Sequence, residues 1–205
     1  MLLRIYPENP NQREVRKAAE IVKNGGVIIY PTDTIYGVGC DIFQQKAAEK
    51  VALIKGIDIQ KADFSFICYD LSHVSFFTSQ IDNTTFKLLK RNLPGPFTFI
   101  LNANNNVPKY FRAKKRTVGI RIPNNDIIRE IVKVLGHPIL TTSINDDDDN
   151  VVEYMTDPEL IHEKYKKLVD LVIDGGFGKN IPSTIVDCTG DEPVIRRQGI
   201  GELKY

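Results

Sequence analysis

Short apolar runs and amphipathic helical segments take turns along this chain without a repeating period, and that interleaving confines it to a mixed α/β architecture. Gly26-Val27-Ile28-Ile29-Tyr30 and Ile139-Leu140-Thr141-Thr142 read as buried strands. Ahead of the first of them, Asn11 with Glu14 three residues on has capping-box chemistry. Val15, Ala18, Ala19 and Val22 then recur at helical spacing until Gly25-Gly26 stops the helix. The same spacing predicts helices over 45–55 and 82–91, one from Ile127 to Leu135 that stops at Gly136, and one opened by Asp157-Pro158. Strands are predicted at Ile5-Tyr6, 27–30, 64–68, 97–101, 118–122, 139–142, 168–173, 184–187 and 194–197. The expected product is an α/β domain, one twisted mixed sheet surrounded by helices. With 205 residues and neither internal repeat nor linker, the expectation is a single domain over 1–205.

Composition narrows the function classes. Apolar residues make up 42% and charged residues 26%, ordinary globular values, and no window approaches the ~20 apolar residues that a membrane span needs. Met1-Leu2-Leu3-Arg4 runs straight into a strand-like segment, so a cytoplasmic protein is expected. Cys40, Cys68 and Cys188 are scattered singly without metal-like spacing and read as reduced, buried small hydrophobes. A net charge of +1 gives no global drive toward nucleic acid. Charge is segregated locally, however: Lys109, Arg112, Lys114, Lys115 and Arg116 form a basic cluster, and Asp146 to Asp149 an acidic run in an exposed loop over 146–154. Solvated loops and a weak RNA-contacting surface both fit the basic cluster.

Three polar islands interrupt the apolar pattern. Pro31-Thr32-Asp33-Thr34-Ile35-Tyr36-Gly37 follows a buried strand and precedes an expected helix, and ligands of α/β sheets collect at strand carboxyl ends. A plain turn would also use Pro, Thr, Asp and Gly. Thr141-Thr142-Ser143-Ile144-Asn145 repeats the theme after another strand, and Pro182-Ser183-Thr184 opens a third. Hydroxyls and an amide suit a phosphate or carboxylate, because they donate without the cost of burying a cation. Cations could come from Lys55, Arg121 and Arg196 or Arg197. An arginine within Val118-Gly119-Ile120-Arg121-Ile122-Pro123 requires an anionic partner, either structural or a ligand. Gly175-Gly176-Phe177-Gly178 has the spacing of neither a P-loop nor a dinucleotide motif, and His73, His137 and His162 form no triad or metal-ligand pattern. The residues alone therefore indicate a pocket of hydroxyls and cations for a small molecule bearing phosphate or carboxylate, with no metal site.

Taken in order, these segments resemble the YrdC/YciO family, whose best-known members are threonylcarbamoyl-AMP synthases. The resemblance rests on 31–37, Lys55-Gly56, Pro94-Gly95-Pro96-Phe97-Thr98, 118–123, Thr142-Ser143-Ile144-Asn145, Ser183-Thr184-Ile185-Val186-Asp187 and Arg197-Gln198-Gly199. It implies a twisted sheet with a concave basic surface. It also implies condensation of L-threonine, bicarbonate and ATP, with Mg2+ accompanying the nucleotide, to threonylcarbamoyl-AMP and pyrophosphate, in the service of tRNA modification. Carried over by position, Thr34, Arg121 and Ser183 would hold threonine. Lys55, Ser143 and Asn145 would be catalytic, and Thr32, Thr117, Thr142 and Arg197 would face the nucleotide. Binding of tRNA or double-stranded RNA without synthase activity, or hydrolysis or transfer of threonylcarbamoyl groups, are the other activities such a pocket could serve.

The chain departs from the synthase pattern where a Lys-x-Arg pair is expected, since Lys55-Gly56-Ile57 lacks the arginine. Isoleucine cannot supply bidentate hydrogen bonds to phosphate. Cys68 stands where synthases usually carry a histidine, and four aspartates follow Asn145 where many have Ser-Gly. Together with the opening Tyr6-Pro7-Glu8-Asn9-Pro10, this places the resemblance nearer the YciO branch.

Overall fold

A computed structural model describes residues 1–59, 63–112, 116–144 and 153–205, with the side chains of 112, 153 and 154 left out. Its strands are β1 (Leu2–Arg4), β2 (Ile28–Tyr30), β3 (Gly37–Asp41), β4 (Ser65–Ile67), β5 (Phe97–Asn102), β6 (Thr117–Arg121), β7 (Ile139–Ser143), β8 (Leu171–Asp174), β9 (Thr184–Asp187) and β10 (Val194–Arg197). They form one ten-stranded mixed sheet in the order β1-β8-β2-β3-β7-β4-β6-β5-β9-β10. The α/β expectation and most strand positions hold.

Helices α1 (Gln12–Lys23) and α6 (Asp126–Leu135) cover one face; α2 (Gln45–Ile54), α3 (Leu71–Phe77) and α4 (Asn83–Asn92) cover the other, and α5 (Lys109–Arg112) and α7 (Pro158–Tyr165) complete the set. Helices α1, α3, α4, α6 and α7 begin where a side chain satisfies orphan amides: Asn11 Oδ1 accepts from the Arg13 N–H at 2.9 Å, and Asp82 Oδ1 accepts from the Thr84 and Thr85 amides. Gly136 ends α6 with φ of 82°, the left-handed conformation that only glycine adopts cheaply.

The period of two in the strands explains the two cores. On β2, Ile29 points into the α2 side while Ile28 and Tyr30 pack under α1 and α6. Farther along the sheet the pattern becomes one-sided. Phe66, Phe97, Phe99, Leu101, Val118, Ile120, Leu140 and Val186 all enter the α2-side core. Their alternates on the opposite face are Ser65, Thr98, Gly119, Arg121, Thr141 and Ile185, and there no α1 or α6 contact replaces the lost packing. That polar half-face is where the cavity forms.

Four local expectations need correction. The first strand lies at 2–4 rather than 5–6, because it pairs in parallel with β8 while Ile5 turns into the α1/α6 core. Pro31–Gly37 leads into β3, not directly into a helix; β2 and β3 pair antiparallel, so the turn is a hairpin connection. Helix α3 was not predicted, although Asp70 caps it by accepting from the Ser72 and His73 amides. Cys188 is half-buried rather than buried, whereas Cys40 and Cys68 are fully enclosed.

Candidate active site

A cavity of about 240 Å3 opens over the polar half-face, lined by Thr34, Ile35, Asp63, Ser65, Thr98, Arg121, Thr141, Thr142, Ser143, Pro182, Ser183, Ile185 and Arg197. Strand register assembles it. Ser65 is paired with both Gly119 and Thr141, and one row farther along, Thr98 pairs with Ile185, which pairs with Arg197. A Cβ at Gly119 would fall 2.5 Å from Ser65 Oγ and 3.3 Å from Thr98 Cγ2, so glycine keeps the floor of the cavity open.

Arg121, 9% exposed, stands at the end of β6 and supplies the buried cation. Its Nη2 donates to Thr34 Oγ1 at 2.9 Å and to Asp33 Oδ1 at 3.2 Å, while Asp33 Oδ2 accepts from the Asn124 N–H at 2.9 Å. The hairpin turn is itself braced: Thr32 Oγ1 donates to the Ile35 carbonyl at 2.7 Å and accepts from the Thr34 N–H at 3.0 Å. Fixed placement of Thr34 follows from those bonds. On the far wall, Ser183 Oγ lies 2.9 Å from Thr98 Oγ1, and the Ser183 carbonyl accepts from Arg197 Nη2 at 3.0 Å. Thr141 Oγ1 is hydrogen-bonded by the Tyr30 hydroxyl, whose burial raises its phenol above the ordinary range. The cavity thus offers a fixed guanidinium and several hydroxyls from separate strands, an arrangement suited to a small anion-bearing molecule with hydrogen-bonding groups.

Of the residues expected from sequence, Thr34, Arg121, Thr142, Ser143, Ser183 and Arg197 come together around this cavity. Thr32 does not line it and instead supports Thr34 from behind. Thr117 also stands away from it, because it opens β6 beside Asn102 while Arg121 closes the strand. Lys55 caps the carboxyl end of α2, partly buried, and is not among the lining residues. Asn145, Lys114, Lys115 and the 146–149 aspartates lie outside the described residues. Lys109 and Arg116 are exposed beside α5 and β6. Ser65, Thr98, Thr141 and Asp63 also line it; Thr141 stood in the second polar island and Thr98 in a family-like segment without an assigned role, whereas Ser65 and Asp63 were missed. For Ser65, Thr98 and Thr141 the signal was available: each is the small polar alternate to a buried residue of its own strand, in Phe64-Ser65-Phe66, Phe97-Thr98-Phe99 and Leu140-Thr141. Among the described residues there is no group of three or more His, Cys, Asp or Glu that could hold a metal ion, and no helix long and apolar enough to cross a membrane.

Comparison with known proteins is consistent in sequence and in fold. A family model for Sua5, YciO and YrdC proteins, described as telomere recombination, matches residues 20–199. YciO of Escherichia coli K12, an uncharacterized protein, is 41% identical over 98% of this chain and 96% of its own length. The putative threonylcarbamoyl-AMP synthase of Methanocaldococcus jannaschii is 33% identical over 97% of this chain and 93% of its own. The crystal structure of E. coli YciO superposes with a TM-score of 0.91 at 39% identity, covering 98% of this chain and 97% of that one.

Proposed function

The chain belongs to the Sua5/YciO/YrdC family, and from that premise we propose that it carries out threonylcarbamoyl-AMP chemistry. In this reading L-threonine enters the cavity with its carboxylate on Arg121 and its hydroxyl and amine among Thr34, Ser183 and Thr98. Bicarbonate and the neutral amine give a carbamate: the nitrogen bonds to the bicarbonate carbon, a carbon–oxygen bond breaks, and that oxygen leaves as water with the proton from nitrogen. A carbamate oxygen then forms a bond to the α-phosphorus of ATP as the bond to the bridging oxygen breaks, and pyrophosphate leaves. Asn145, Ser143 and Lys55 are assigned to the nucleotide end, with Arg197 at the boundary between the two halves. Magnesium arrives on the triphosphate as its counter-ion. Fixed donors that meet charge developing at phosphorus need no reorganisation during the step, which is the physical basis for assigning hydroxyls and cations to it.

The observation that carries this reading is the buried Arg121–Thr34 pair with Ser183 across the cavity from it, built by β6, the 31–36 turn and the entry to β9. Asp33 offers this guanidinium one carboxylate oxygen at 3.2 Å, and Arg121 still lines the cavity together with hydroxyls from separate strands, which suits a second, ligand carboxylate. The nucleotide end is less well provided, since Ile57 is 38% exposed and offers no donor where synthases carry arginine. Pyrophosphate release should therefore be slow in the parent, require threonine, bicarbonate and ATP together, fall with Lys55→Ala and rise with Ile57→Arg. Absence of threonine-dependent pyrophosphate from both the parent and Ile57→Arg overturns the proposal.

A further inference from the structure

The donor geometry of Arg121 contains a conflict. A guanidinium presents two planar forks, Nε with Nη2 and Nη1 with Nη2, and bidentate binding of a carboxylate needs one fork intact. Both include Nη2. In this structure the hydrogen bonds of Arg121 to described residues all leave from Nη2, one to Thr34 Oγ1 and one to Asp33 Oδ1, which uses both of its hydrogens. Meanwhile Nε is buried without a partner among the described residues, although it sits in a side chain only 11% exposed. The arginine is held, yet neither fork is available.

We propose that Asp33 is a built-in competitor for the ligand's carboxylate: it holds Nη2 and is displaced when a ligand carboxylate takes the Nε–Nη2 fork. The inference rests on the assignment of Arg121 to a carboxylate made above and adds the residue that sets affinity for it. Three observations fit together. Asp33 offers Nη2 a single oxygen rather than a bidentate pair, so an incoming carboxylate that reaches both Nε and Nη2 makes one more charge-assisted bond than it replaces. That extra bond gives the orphaned Nε its partner. Asp33 also has a second anchor, the Asn124 N–H on Oδ2, to which its carboxylate stays bound after releasing the arginine. Ligands without a carboxylate cannot displace Asp33, so the exchange also selects against amino alcohols and amides. Binding affinity is lowered by the cost of breaking the internal pair, and selectivity is gained.

A clamp that merely positions Arg121 makes the opposite prediction, so the sign of one substitution decides. The 15N-labelled full chain would be titrated with acetate, L-threonine and L-threoninol while the Arg121 Nε–Hε resonance is followed, with Arg121→Lys used to assign it. Parent, Asp33→Asn and Asp33→Ser are compared; asparagine keeps an oxygen for the Asn124 N–H, and serine provides an independent readout of the same sign. Acetate and L-threonine should shift the resonance at concentrations roughly three- to tenfold lower in Asp33→Asn than in the parent, and L-threoninol should not shift it in the parent. Equal or weaker carboxylate binding in both variants, or no response of any form to acetate, overturns the proposal. An Asp33→Asn gain for acetate without any preference for L-threonine supports the competitor role while overturning the threonine reading.

Discussion

Removing both partners of the Arg121–Asp33 pair should destabilise the fold less than the two single losses added together, and the size of the difference can be worked from the structure. The two side chains are 11% and 9% exposed, with Nη2 and Oδ1 3.2 Å apart. At an effective dielectric of about 20 the attraction is roughly 5 kcal/mol before desolvation, which takes back most of it. Arg121→Met leaves Asp33 buried with the Asn124 amide as its donor and deprives Thr34 Oγ1 of its charged donor. The expected loss is about 3 to 4 kcal/mol. Asp33→Asn keeps an acceptor for the Asn124 N–H and removes the charge, so its cost should be about 1 to 2 kcal/mol. The double variant strands no unpaired ion and should cost about 2 kcal/mol less than the two single losses added together. Urea unfolding of the four proteins measures the cycle directly, provided the slope is unchanged. A coupling below about 0.5 kcal/mol, the size of a solvated surface pair, refutes the claim that the turn and β6 are locked by a desolvated charge pair.

Two further outcomes test other parts of the account. Gly119→Ala should alter stability by only about 1 kcal/mol, because Ser65 Oγ can rotate away from a Cβ that would sit 2.5 Å from it, yet it should weaken L-threonine binding by filling the cavity floor, and Ser65→Ala should restore part of that loss; unchanged binding in a calorimetric titration would exclude this face as the site. Burial raises the phenols of Tyr30, Tyr36 and Tyr110 and the thiols of Cys40 and Cys68, and pushes Cys188 up to about 11. Because these pKa values are higher folded than unfolded, stability is complete below the unfolded values and is lost as pH rises past about 8.5 for thiols and about 10 for phenols. Denaturation midpoints should fall across that window, and ionisation of every tyrosine in a still-folded protein would contradict it.

The longer helices were legible because their signals are local, whereas the short α3 and α5 were not. Val15, Ala18, Ala19 and Val22 face one way at helical spacing, and Gly136 supplies the αL cap, whatever the rest of the chain does. Strand β3 was hidden because Gly37-Val38-Gly39-Cys40-Asp41 has low β propensity; its pairing with β2 and β7 and the close fit of Gly39 against Leu140 determine it, both of them nonlocal facts. The site divided in the same manner. Arg121 was conspicuous as a charge inside an apolar strand, and Thr34, Ser143 and Ser183 as hydroxyls at strand ends. The placement of Thr32 behind Thr34 and of Thr117 at the remote end of β6 depends on turn geometry and strand direction, so the polar residue types alone could not exclude them. The Asp33 contact likewise required three dimensions, since 88 residues separate it from Arg121.

The reaction proposed for this cavity joins threonine, bicarbonate and ATP. The most direct test is mass spectrometry of the nucleotide products formed by the purified chain with L-threonine, 13C-bicarbonate, ATP and magnesium. The expected product is a threonylcarbamoyl-AMP species that carries one 13C, requires L-threonine, disappears with Arg121→Met and increases with Ile57→Arg. A reaction that yields no 13C-labelled threonyl nucleotide from either the parent or Ile57→Arg would contradict it.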